Sequence, residues 1–212
     1  LTGLSIGFIL PTLASQMLKV HHGFNLYNLG FVSGVVGTVY VSLFRSYGFL
    51  TESRMIWTTG NNGILGVFLV LLFSLMIITA IGIGKKGLMA SQVSIWQYSG
   101  RLITDFIALE GWGPTLFNMG IMGIFSSFYI IAVRGDLNGP TLAGIFTLVG
   151  FSAFGKHLRN TIPILLGVGL GALTKSWAIT DPAIQLAALF GTTLAPVSGE
   201  FGWKSGVLAG FI

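Results

Sequence analysis

The chain has 212 residues, of which 53% are hydrophobic and 8% charged, against a charged share of roughly 25% in soluble domains. That composition excludes a soluble globular fold, and the absence of cysteine excludes disulfides and thiolate metal sites without indicating a redox compartment. The formal charge of +5 comes from cations that mostly flank apolar runs, the pattern of orientation signals in membrane loops rather than of a nucleic-acid footprint.

Residues 2–20 are apolar but contain Pro11, Ser15 and Gln16, which predicts a kinked span whose polar face meets protein rather than lipid. The chain opens inside this segment, with no basic leader or cleavage site. Lacking an initiator Met, it reads as a fragment. Lys19, His21 and His22 end the segment, and a second span is expected over residues 26–43, where Gly30, Gly34 and Gly37 would let helix backbones approach closely. The stretch 47–62, with Glu52, Arg54, Trp57 and an Asn-Asn-Gly turn, reads as an interfacial loop.

Residues 63–84 form the plainest span, apolar on all faces and followed by Lys85 and Lys86, the best candidate for a cytoplasmic end. Residues 88–110 mix Gln92, Gln97, Arg101 and Asp105 with apolar residues, and leave open an interfacial helix, a shielded span or a re-entrant segment. Residues 115–133 are a further span, closed by the Arg134-Gly-Asp-Leu-Asn-Gly turn before Pro140. Residues 140–155 are too few to cross at 1.5 Å per residue and predict a half-helix. Residues 162–173, with Gly167 and Gly171, predict a closely packed segment, and residues 182–194, bounded by Pro182 and Pro196, are again too short. Short Gly- or Pro-bounded apolar segments point towards a transporter-like site.

The chain also resembles itself. Gly23-Phe-Asn-Leu-Tyr-Asn-Leu-Gly-Phe-Val aligns without a gap with Gly113-Pro-Thr-Leu-Phe-Asn-Met-Gly-Ile-Met, which predicts an internal repeat. Gly206-Val-Leu-Ala-Gly-Phe-Ile resembles Gly3-Leu-Ser-Ile-Gly-Phe-Ile at a spacing of 203 residues, as though the chain were one period of a longer protein.

These motifs carry a wider resemblance. His-x-Gly-x-Asn-Leu-Tyr-Asn-x-Gly-Phe at 21–31, Ser-Gly-Arg-Leu-x-Thr-Asp-Phe at 99–106 and Thr-Leu-Phe-Asn-Met-Gly at 115–120 are similar to those of a family of bacterial multi-pass membrane proteins known only as a domain of unknown function. The segments 137–141, 150–157 and 186–196 extend the match. The resemblance implies a protein of two related halves in a bacterial inner membrane, with residues 1–86 ending one half and 87–212 making most of the next. It implies no activity. The Tyr-Asn-x-Gly and Phe-Asn-x-Gly elements are more distantly similar to the aromatic-Asn-Gly signature of urea transporters, although the Asn-Asn-Pro motif of those proteins is missing here.

Asn28 and Asn118 hold equivalent places in the repeat. A side-chain amide offers donors and an acceptor, which suits a small neutral polar solute, a stripped carbonyl at a helix break or a helix cap. Asn25 and Tyr27, from the same element, join them as candidate solute contacts. Asp105 stands one helical turn after Arg101, its expected partner. Such a carboxylate is either a structural ion pair at the membrane surface or, facing a watery cavity, a proton- or cation-coupling group.

Adjacent on a helix, His21 and His22 point about 100° apart and do not share a metal ion easily. Lys156, His157 and Arg159 read as a loop anchored on lipid headgroups or, more sharply, as an anion or substrate gate. Asp136 and Asn138 precede a helix start able to bind an anion or a carbonyl, and serve equally as turn and cap. Glu200, Trp203 and Lys204 mark an interface.

The expected fold is therefore all-α, a polytopic membrane bundle with internal repeats and broken or re-entrant half-helices. The expected function is a channel or secondary transporter for a small polar solute. Its contacts are drawn from Asn25, Tyr27, Asn28, Asp105, Asn118, Asn138 and His157, without a catalytic residue, metal or cofactor. The expected partners are the bilayer and the solute, not nucleic acid, and a homo-oligomer stays open. The alternatives are a membrane-embedded enzyme using Asp105, His157 or Glu200 in acid-base roles, and a structural scaffold.

Overall fold

The computed structural model describes residues 2–49, 56–84, 87–102 and 104–212, and among them all regular structure is helical. The helices are α1 (Thr2–His21), α2 (Asn28–Ser46), α3 (Asn62–Gly84), α4 (Leu88–Ile95), α5 (Phe106–Glu110), α6 (Trp112–Ala132), α7 (Gly139–Phe151), α8 (Leu158–Thr174), α9 (Pro182–Gly191), α10 (Ala195–Phe201) and α11 (Trp203–Phe211). A 3₁₀ turn, Thr192–Leu194, separates α9 from α10. Glu52, Arg54 and the Lys85-Lys86 pair lie outside the described residues.

Four helices, α1, α2, α3 and α6, are long and apolar enough to cross a membrane. They are the four expected from the apolar runs, each within three residues of its expected start. Of these, α1 to α3 leave most of their apolar side chains exposed, such as Phe8, Val39, Ile64 and Leu71, as lipid contact requires. By contrast, α6 is largely buried.

Glycines on α6 explain how it reaches the centre. A methyl group at Gly113 would stand 2.5 Å from the Gly84 Cα, and one at Gly120 would stand 3.0 Å from the Phe73 carbonyl oxygen. The two backbones therefore meet at distances that only glycine permits. Against this pair packs the main core, with Leu69, Phe73, Met122 and Ile130 meeting Ile145 and Leu148 of α7 and Leu189 of α9. The α8 and α11 helices close in the same manner, a methyl at Gly171 falling 3.0 Å from the Phe211 carbonyl oxygen. The α1–α2 hairpin has a smaller core of its own, Ala14, Val32 and Val36.

The mixed stretch 88–110 is not one helix. It breaks after Ile95, Gly100 (φ +77°) and Leu102 (φ +57°) turn the chain, and α5 restarts it, which excludes a continuous crossing. As the apolar lengths predicted, α7 and α9 are short, 13 and 10 residues. At 1.5 Å per residue neither spans the roughly 30 Å of a hydrocarbon core.

Candidate functional site: a buried lysine where three breaks converge

Residues 152–157 lie between α7 and α8, and the chain needs glycine there. Gly155 has φ +114° and touches Gly100 (φ +77°) backbone to backbone, a methyl at Gly155 falling 2.7 Å from the Gly100 carbonyl oxygen. Two segments singled out by their sequence, 99–106 and 150–157, thereby meet in space. The carbonyls freed at the end of α7 are claimed by Asn118, whose Nδ2 donates to Ser152 O (2.7 Å) and Lys156 O (2.8 Å). Gln92 Nε2 donates in turn to Asn118 Oδ1 at 3.2 Å. The opposite Gln92 orientation gains both Pro114 O (3.3 Å) and Trp96 Nε1 (3.0 Å) but sets its oxygen against Asn118 Oδ1, so only the donating orientation bonds Asn118.

Lys156 follows Gly155 and is fully buried. Its Nζ donates to Thr192 Oγ1 (2.5 Å) and to the Tyr27 hydroxyl, and lies 4.0 Å from the centre of the Tyr27 ring. Tyr27 belongs to the 22–27 connection between α1 and α2, and Thr192 to the 3₁₀ turn after α9. Three interruptions in the helices thus converge on one amine. The ion pair between Arg101 and Glu200 (3.9 Å) lies elsewhere, and Nζ has no carboxylate partner among the described residues. Two hydroxyl oxygens and an aromatic face surround this buried nitrogen. This position contradicts a headgroup anchor, which needs an exposed side chain.

Beside the cluster opens a cleft of about 630 Å³, lined by Asn25, Tyr27, Thr193, Phe151 and Phe190 among others. Its polar wall is tightly built. Asn25 Oδ1 accepts from Thr193 Oγ1 (2.5 Å) and from Tyr27 N (3.1 Å), while Tyr27 N also donates to Thr193 Oγ1 (2.9 Å). The Tyr27 ring packs edge-on against Phe151, with centroids 4.6 Å apart. Tyr27 therefore has one face in the cleft and its hydroxyl on Lys156.

Of the seven candidate solute contacts, Asn25 and Tyr27 line this cleft. Asn28 and Asn118 do not; both are helix ties. Asn28 Nδ2 donates to Ala14 O (2.9 Å) and Oδ1 receives His21 Nε2 (2.9 Å). The two asparagines thus do the same kind of work, donating to a neighbouring backbone carbonyl and accepting from a side chain.

Asp105 is exposed and caps α5, its Oδ1 accepting from Ile107 N (2.9 Å) and Ala108 N (3.1 Å). It has no bond to Arg101, because the backbone from Arg101 to Asp105 is not helical: Leu102 has φ +57° and Asp105 itself is extended. Arg101 instead holds the His22 carbonyl (2.9 Å), stacks on Phe24 (4.4 Å) and pairs with Glu200. Asn138 is buried and caps α7 in a reciprocal box with Thr141. Its Nδ2 donates to Thr58 O (3.1 Å). His157 is buried on the side of the break facing Tyr98, whose carbonyl receives Nε2 at 2.9 Å.

Sequence reasoning missed Thr192 and Thr193, which sit in the turn after the short α9. The Pro196 boundary marked that break, but no residue pattern marked its hydroxyls as partners of Tyr27 and Lys156.

Apolar helices of spanning length around a buried polar centre define a multi-pass α-helical membrane protein. The chain belongs to the family described as "Protein of unknown function (DUF1576)", whose model matches residues 1–46 and 84–212. No curated protein and no solved structure matches it.

Proposed function

We propose that the chain forms the body of a channel or secondary transporter for a small polar solute, in a bacterial inner membrane, with the solute passing the Tyr27–Lys156–Thr192 cluster. The observation that carries this reading is Lys156. An ionisable side chain buried without a carboxylate partner among the described residues, at the meeting of three interrupted helical segments beside a cleft, is the arrangement expected of a solute or coupling site. Asn25, Tyr27 and Thr193 make the polar wall of the approach. The matching roles of Asn28 and Asn118 support the reading of residues 1–86 and 87–212 as parts of two related halves.

An enzyme reading would make Thr192 a nucleophile and Lys156 its base, since they lie 2.5 Å apart. The Thr192 hydroxyl, however, already donates to Leu189 O (2.6 Å) and is fully buried, so its proton is not offered to the amine. That geometry disfavours the nucleophile.

The test is flux into liposomes carrying the full-length protein, with a panel of labelled small polar solutes and ions, for wild type and Lys156→Met. Methionine keeps the length and removes the charge, and replacing a buried charge by an apolar group is often neutral for stability. Flux of at least one solute is expected in wild type, with loss of that flux in a folded Lys156→Met protein. No flux above empty liposomes, or undiminished flux in the variant, would sink the proposal.

A further inference from the structure

A second, smaller cavity of about 200 Å³ lies on the other side of the 152–157 break. His157 is in extended conformation (φ −156°, ψ 170°), and successive side chains in extended backbone point to opposite sides. His157 accordingly faces this second cavity and points away from Lys156. Tyr98, His157, Asn160 and Ser198 line the inner part of the second one, while Trp203 and Arg159, both exposed, stand at its mouth and Trp96 forms a further wall.

Two residues of this lining carry buried polar atoms without a partner, His157 Nδ1 and Ser198 Oγ. Their state is chemically defined. His157 Nε2 faces the Tyr98 carbonyl (2.9 Å) and must donate to it, which leaves Nδ1 of the neutral ring as an acceptor. The Asn160 N–H bonds the His157 carbonyl (3.3 Å) and also points towards the ring in a capping box, an approach that leaves Nδ1 without a hydrogen bond of full geometry. The Asn160 side chain is also committed, donating to Gly155 O (2.8 Å) and accepting from His157 N (3.0 Å). The open functions are therefore one acceptor, Nδ1, and one hydroxyl, which a rotation about its Cα–Cβ bond re-aims. Leaving such groups buried and unpaired is costly, so a ligand that satisfies both gains what the empty lining loses.

We infer that this cavity binds a small neutral molecule carrying both an N–H donor and a carbonyl acceptor, a primary amide being the simplest. The N–H meets His157 Nδ1, the carbonyl takes the Ser198 hydroxyl, and the planar group packs against the indoles of Trp96 and Trp203. A carboxylate lacks the donor, and an alkylammonium lacks the acceptor and meets Arg159 at the mouth. The inference does not depend on Lys156 or on transport.

Tryptophan fluorescence of the purified full-length protein, titrated with acetamide, acetate and methylammonium, tests it. A saturable change is expected with acetamide alone, absent in Trp203→Phe, and weakened about tenfold or more in Ser198→Ala and His157→Gln, as loss of one buried hydrogen bond implies. Ser198→Ala decides the matter alone if His157→Gln does not fold. A saturable response to acetate or methylammonium, no saturable response to acetamide, or an unchanged acetamide response in Ser198→Ala overturns the assignment, the second of these meaning that the lining is satisfied by water.

Discussion

Replacing Asn118 by alanine removes both donors that reach the end of α7, and each of the two carbonyls it serves then loses the side-chain partner recorded for it, at 2.7 and 2.8 Å. An unsatisfied buried polar group costs about 1–3 kcal/mol, while hydrogen bonds measured inside membrane proteins fall at the lower end, because the unfolded chain in lipid also finds partners. The expected loss is therefore about 2–4 kcal/mol. Asn28→Ala should cost less. Ala14 lies inside α1, so its carbonyl keeps the helical bond to the amide four residues on and gives up only a second one. Its expected cost is under about 1 kcal/mol. Denaturant unfolding of the two variants in the same mixed micelles, followed by circular dichroism, measures the difference directly. Equal destabilisation by Asn28→Ala and Asn118→Ala would refute the reasoning, since it would mean that the freed carbonyls at the helix break need no donor.

Three further outcomes follow from the packing and the caps. Gly120→Val should separate α3 from α6, because the new side chain meets the Phe73 carbonyl at 3.0 Å, and at about 1–3 kcal/mol or more the loss should appear as a lower unfolding midpoint. Asp105→Ala removes the cap of α5 and should cost about 1 kcal/mol, while Asp105→Asn should recover most of it, a rescue that a coupling carboxylate would not show in flux. Glu200→Gln breaks an ion pair whose partners are about a third exposed, so it should change stability by less than about 1 kcal/mol, measured by the same unfolding assay.

The spans were readable from sequence because a bilayer imposes a length and a composition, and α1, α2, α3 and α6 meet both. The half-length of α7 and α9 was readable for the same reason. What could not be read is the identity of partners that are backbone atoms. Asn118 serves carbonyls 34 and 38 residues away, and a carbonyl has no residue type. Its motif therefore announced importance without saying that its partners in the fold are carbonyls. Lys156 was misplaced because a cation after an apolar run looks the same whether the run ends at a headgroup or inside the protein. The sixteen residues before it were the informative signal, being too few to have reached the far surface. Asp105 was assigned to Arg101 on helical spacing, which fails because Leu102 turns the chain between them and the helix starts only at Phe106.

The contact of Gly155 with Gly100 has a mechanical consequence. Arg101, next to Gly100, grips the carbonyl of His22, and five residues later Tyr27 reaches back to Lys156, the neighbour of Gly155. These contacts close a ring through three chain segments, with glycine backbone at one joint and hydrogen bonds at the others. A linkage of this kind has little slack. The lysine segment, the 99–101 loop and the root of the α1–α2 hairpin are thereby joined by direct contacts.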